Sequence, residues 1–222
     1  MVDWQLLNGP EAVAQAACER IGLAAQQAID ERGIFSLVLA GGTTPQRTYE
    51  LLGATDQQWS AWSLYYGDER CLAADDPERN SHMVERTGLA ALAGRHYPIP
   101  AELGAEPAAA EYAQRIGEAL PFDMVLLGMG EDGHTASLFP GHDWGQGTVT
   151  PVHHAPKPPP DRVSLTPPAL RDCRAMLVLV TGASKRAAVR ALRAGERLPL
   201  AEVADIPQAR ILVDRALIEE DR

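Results

Sequence analysis

Residues 126–141, LLGMGEDGHTASLFPG, set two adjacent carboxylates, Glu131 and Asp132, and an imidazole, His134, among four glycines directly behind an apolar run. With an unperturbed pKa of ~6.5, a histidine takes up a proton near neutral pH. A carboxylate two positions away can orient it or support its charged form, the arrangement a general base needs. Glycines at 128, 130 and 133 let a tight loop carry Asp132 and His134 into a crevice that bulkier residues would obstruct. An isolated histidine usually serves packing; one on a strand-end loop beside a carboxylate favours chemistry. Metal ligation by Glu131, Asp132 and His134 is improbable, because no second His or Cys stands at ligand spacing and His153 and His154 are remote in sequence.

Three further segments place polar groups at the ends of apolar runs. In AGGTTPQRTYELL, Gly41 and Gly42 allow close approach of the backbone to a ligand, and Thr43 or Thr44 can cap a helix begun by Pro45. The free N–H groups of that helix would face an anion, although a plain strand-to-helix turn explains the same residues. In YYGDERCL, Asp68, Glu69 and Arg70 stand at a strand end, where the arginine can offer a forked donor to phosphate or carboxylate; the alternative is a surface acid–arginine cluster. In TGASKRAAVRAL, Lys185 falls in the first turn of a helix, where a cation opposes the macrodipole and a bound anion would relieve the conflict.

These segments need a scaffold that brings strand ends together. Apolar runs at 34–40, 62–67, 122–128, 175–181 and 210–214 are expected to be strands, and helical patterns at 10–33, 45–52, 80–92, 107–120 and 184–194 alternate with them. The alternation predicts an α/β fold of stacked βαβ units around a mostly parallel sheet, whose ligands bind outside the carboxyl ends of the strands. Residues 153–170 hold six prolines and are expected to form an ordered, non-helical loop bordering a site.

A chain of 222 residues with no internal linker or repeat suits one domain, 1–222. A net charge of -10 argues against nucleic acid as a partner, so an anionic substrate must meet a locally basic pocket. Three scattered cysteines suggest a reducing compartment. The first residues lack a signal-peptide pattern, and no apolar run approaches the ~18 residues of a membrane span. A cytoplasmic enzyme or binding protein without membrane attachment is expected; oligomeric state is not legible.

Taken in order, LAGGTTPQRTYELL, YYGDERCL followed by RNSH, FDMVLLGMGEDGHTASLFPG, RVSLTPPAL and VTGASK resemble the 6-phosphogluconolactonase family, within the larger group that includes glucosamine-6-phosphate deaminase. The resemblance implies a three-layer α/β/α sandwich with a modified Rossmann-like sheet. It also implies hydrolysis of 6-phospho-D-glucono-1,5-lactone in the pentose phosphate pathway without metal or organic cofactor. On this match His134 is the general base and Asp132 its support. Gly42, Thr43, Arg70, Arg162 and Lys185 grip the phosphate, with Asp68 nearer the sugar. A deaminase would carry glutamate five residues after the loop histidine, where this chain has Phe139, and Asp-Glu-Tyr where it has Asp68-Glu69-Arg70. A noncatalytic sugar-phosphate sensor is the rival from another class.

Overall fold

The computed structural model describes residues 3–219. Among the described residues ten strands form: β1 (Asp3–Leu7), β2 (Phe35–Leu39), β3 (Trp62–Tyr66), β4 (Asp68–Arg70), β5 (Arg95–His96), β6 (Met124–Gly128), β7 (Val149–Val152), β8 (Arg162–Leu165), β9 (Met176–Val180) and β10 (Ala209–Asp214). Seven of them build a parallel sheet in the order β1-β10-β9-β6-β2-β3-β5, and β4-β8-β7 form a separate antiparallel sheet. Every residue of β2, β3 and β9 is buried, as parallel strands covered on both faces require.

The helices are α1 (Gly9–Arg32), α2 (Thr43–Gly53), α3 (Asn80–Arg86), α4 (Leu89–Leu92), α5 (Ala105–Ile116), α6 (Pro167–Arg171), α7 (Arg186–Arg193) and α8 (Pro199–Ala204). They flank the large sheet in a three-layer α/β/α sandwich around one apolar core, which includes Ile21, Leu37, Trp62, Val125 and Ile211. Among the described residues no helix is long and apolar enough to cross a membrane.

The five apolar runs expected as strands all sit in the large sheet. The short edge strands β1 and β5 and the whole antiparallel sheet were not anticipated. Residues 153–170 depart most from expectation: only 153–161 form an irregular loop, while 162–165 are strand β8 and 167–171 are helix α6. The prolines fall outside the hydrogen-bonded stretch of β8 and on the first turn of α6, where a missing N–H costs nothing. The helix expected over 80–92 breaks at Gly88, which takes φ +81°. Neither Thr43 nor Thr44 caps α2; Gly42 is the N-cap residue, and the Thr44 hydroxyl instead meets that of Thr181 at 2.6 Å.

Two buried tyrosines fix the strand ends that lead into the loops. The Tyr49 hydroxyl accepts from the Ala40 N–H at 2.8 Å and donates to the Ala40 carbonyl at 2.9 Å. Tyr112 does the same at Tyr66, at 2.7 and 3.2 Å. Each satisfies a peptide group where the strand stops, so the backbone can turn away without leaving a buried group unpaired. At the opposite end of the sheet, Asp123 accepts from the Ser36 N–H at 2.8 Å and from Arg32, joining β2 to β6.

Candidate active site

Strands β2 and β6 are neighbours, yet the chain leaves β2 toward β3 on one side and reaches β9 from β6 on the other. Such a reversal opens a crevice at the carboxyl ends of the two strands. A cavity of about 330 Å³ lies there, walled by Gly41 and Gly42 after β2, Asp68 and Arg70 after β3, Gly130 and His134 after β6, and Lys185 after β9. The antiparallel sheet and its loop complete the wall with Arg162, Lys157 and Pro158. The sequence thus placed seven of its eight site residues close together: six line the cavity, and Asp132 touches His134. Thr43 is the exception; it is exposed and outside the wall, because α2 begins there and directs Thr44 inward.

His134 is largely buried, with its Nδ1 2.5 Å from Asp132 Oδ1. Asp132 also accepts from the His134 backbone N–H at 3.2 Å. Burial opposes charge on the ring and outweighs the attraction of Asp132, holding the imidazole pKa below its ordinary value. Burial also acts on Asp132, but the His134 ring and backbone N–H outweigh it and keep the carboxyl below the usual range. At neutral pH the pair is an ionised carboxylate and a neutral imidazole. With Nδ1–H donated to Asp132, the lone pair is on Nε2.

The loop glycines divide the work unequally. A Cβ on Gly130 would fall 2.0 Å from both Nδ1 and Cε1 of His134, so the imidazole lies against bare backbone. Gly133 takes φ +79°, which side-chain-bearing residues rarely adopt. Gly128 has ordinary room and no such role.

Asp68 is buried and accepts from the Ser137 hydroxyl at 2.6 Å and from the Asn80 side-chain amide at 3.2 Å, joining three loops. Arg70 donates through Nη1 to the Glu78 carbonyl, and its Nε is buried without a partner among the described residues. Arg162 is 6% exposed; its Nε and Nη2 donate to the carbonyls of Lys157, Pro158 and Pro159. Phe139 packs beside the His134 imidazole and the Arg162 guanidinium, its ring centroid 4.6 Å from that of His134 and 5.6 Å from the Arg162 guanidinium carbon.

Lys185 closes a 3-10 turn just before α7 rather than entering the helix. Burial lowers its amine pKa. Lys157 reaches the cavity from the proline-rich loop, with Nζ 3.1 Å from Glu131 Oε2. Four cations therefore line the cavity of a chain whose net charge is -10. Among the described residues, no three His, Cys, Asp or Glu side chains gather as a metal site.

Residues 8–213 match the family described as glucosamine-6-phosphate isomerases/6-phosphogluconolactonase. The chain belongs to this family. A 6-phosphogluconolactonase of Streptomyces coelicolor is 37% identical over 205 residues, covering 81% of this chain and 78% of the relative. The 6-phosphogluconolactonase 3 of Saccharomyces cerevisiae strain S288c is 34% identical over 181 residues, 72% of each chain. The crystal structure of a 6-phosphogluconolactonase from Shewanella baltica superposes with a TM-score of 0.87 at 27% identity, over 96% of this chain and 98% of that one. A monomeric glucosamine-6-phosphate deaminase shares the fold at a TM-score of 0.83 and 22% identity, so fold alone does not separate the family's two activities.

Within this family frame, two wall residues escaped the sequence reading. Asn80 stands in the quoted RNSH segment, but its place against Asp68 depends on how the preceding loop folds back: the buried carboxylate of Glu69 accepts from the N–H groups of Asn80 and Ser81 at 2.7 and 2.8 Å. Lys157 was detectable only as a lone cation in a proline-stiffened loop.

Proposed function

We propose that this chain, acting as one cytoplasmic domain, hydrolyses 6-phospho-D-glucono-1,5-lactone to 6-phospho-D-gluconate in the pentose phosphate pathway, with neither metal nor organic cofactor. The observation that carries the reading is that a neutral, carboxylate-supported imidazole shares one cavity with Arg70, Arg162, Lys157 and Lys185. His134 Nε2 takes a proton from water as the oxygen attacks the lactone carbonyl carbon. The resulting oxyanion collapses, the bond to the ring oxygen breaks, and the imidazolium returns its proton to that oxygen, giving a carboxylic acid and a free hydroxyl. Asp132 keeps Nδ1 protonated and supports the transient charge.

The phosphate end falls to Lys185, Lys157, Arg70 and Arg162, with Gly42 at the start of α2, where first-turn N–H groups lack intrahelical acceptors. Asp68 faces the sugar hydroxyls. Grip at the phosphate fixes the distant carbonyl over the imidazole. Phe139 disfavours the isomerase reading by placing a hydrocarbon ring where that chemistry would carry a carboxylate.

A coupled assay with freshly generated lactone, corrected for spontaneous opening and run beside a glucosamine 6-phosphate deamination assay, tests the assignment. Turnover in the first and none in the second is expected; binding without turnover would identify a sensor. Lys185→Ala removes one charge-assisted contact and raises KM roughly 10–100-fold, with a smaller fall in kcat. An unchanged KM removes Lys185 from the phosphate site.

The pH profile follows from His134. Only its neutral form accepts a proton, so kcat/KM is full above its pKa and falls as pH drops through it. Because burial depresses that pKa, the midpoint lies below the ~6.5 of free imidazole. An acid limb centred above that value would mean Asp132 outweighs burial.

A further inference from the structure

Glu131 is the carboxylate of the catalytic loop that the reaction does not use. It projects from the segment carrying Asp132 and His134, half exposed, and pairs with Lys157 at 3.1 Å. Its surroundings are cationic: the Lys157 ammonium first, then a Ser184 hydroxyl contact and the Lys185 charge, hold its carboxyl below the usual range. Glu131 therefore bridges the catalytic loop to the proline-rich loop and feels the charge of Lys185 in the turn before α7. Both lysines line the cavity, whereas Glu131 does not belong to its wall.

We propose that Glu131 is an internal competitor for the substrate's phosphate, occupying Lys157 while the site is empty and yielding it when the phosphate arrives. This rests on the reading that the phosphate lies at Lys157 and Lys185. Lys157 and Glu131 are 49% and 50% exposed, and so open a pair is weakly held, which makes exchange for a phosphate of higher charge favourable. The carboxylate keeps Lys157 directed at the cavity mouth before binding. After turnover it reclaims the lysine and opposes retention of the product, which bears the same phosphate plus a new carboxylate. The rest of the proline-rich loop need not move for the exchange, since Arg162 holds the carbonyls of 157–159.

The test is titration of the full chain with inorganic phosphate by calorimetry, for wild type, Glu131→Gln, Lys157→Met and the double variant, with Lys185→Ala as the site control. Glutamine keeps the shape of Glu131 and loses its charge. Glu131→Gln is expected to tighten phosphate binding roughly three- to tenfold, and the gain is expected to vanish in the Lys157→Met background, as a double-mutant cycle requires for a shared partner. Unchanged binding overturns the proposal. Weaker binding also overturns it, making the pair a loop staple that the site needs. A gain that persists without Lys157 reduces Glu131 to general repulsion and overturns competition. If wild type binds no phosphate, or binds it with an affinity indifferent to Lys185→Ala, the phosphate site itself has been misplaced, an outcome distinct from the other three.

Discussion

His134→Ala lowers kcat for lactone hydrolysis roughly 10²–10⁴-fold, the usual contribution of a positioned general base. The effect is confined to chemistry because the imidazole borders the cavity and is not one of the four cations assigned to the phosphate. Binding of inorganic phosphate or 6-phosphogluconate is therefore expected to persist. Removing the ring opens space toward the cavity rather than a sealed void in the core, so the fold tolerates the change. Single-turnover measurement, with spontaneous opening subtracted, checks the prediction. A variant with the full wild-type rate would show that another group activates water.

Gly130→Ala is expected to come close to the same loss while leaving His134 in the chain. The added methyl would lie 2.0 Å from two atoms of the imidazole, so something must move. The backbone at 130 is fastened, its N–H donating to the His134 carbonyl at 2.7 Å. The ring can rotate, and it gives way. Rotation breaks the contact with Asp132 and turns Nε2 away from the water it activates; a misplacement of about 1 Å is enough for a ~10²-fold loss. The expected signature is a fallen kcat with KM and thermal midpoint near wild type. Unchanged kcat would mean that the ring orientation seen here is not the one that reacts.

The central scaffold was legible because its physics is local. Continuous apolar runs such as 122–128 bury both faces, and the polar residues behind them must then sit at strand ends. His134, Asp68 and Lys185 were found for that reason. The antiparallel sheet was hidden because β7 and β8 are four residues each and lie in proline-rich text, where the composition signals a loop while long-range pairing decides the structure. Lys157 was missed on the same ground: its place at the cavity is set by Arg162 gathering three carbonyls from a segment whose own sequence predicts nothing about direction. Thr43 shows the reverse error. The family match named it for the phosphate grip, but one residue along a helix start is a large change of direction, and the inward position belongs to Thr44.

Phe139, packed beside the imidazole, carries a consequence for the kind of reaction this cavity performs. A benzene ring neither gives nor receives hydrogen ions. A hydrogen ion captured by His134 finds an ionised partner on one flank that stays ionised and an inert surface on another, so it exits through the departing oxygen of the opened ester. Moving hydrogen between neighbouring carbons would call for an additional acid at that wall. On that flank the cleft offers no carrier for a hydrogen ion, which accords with ring opening.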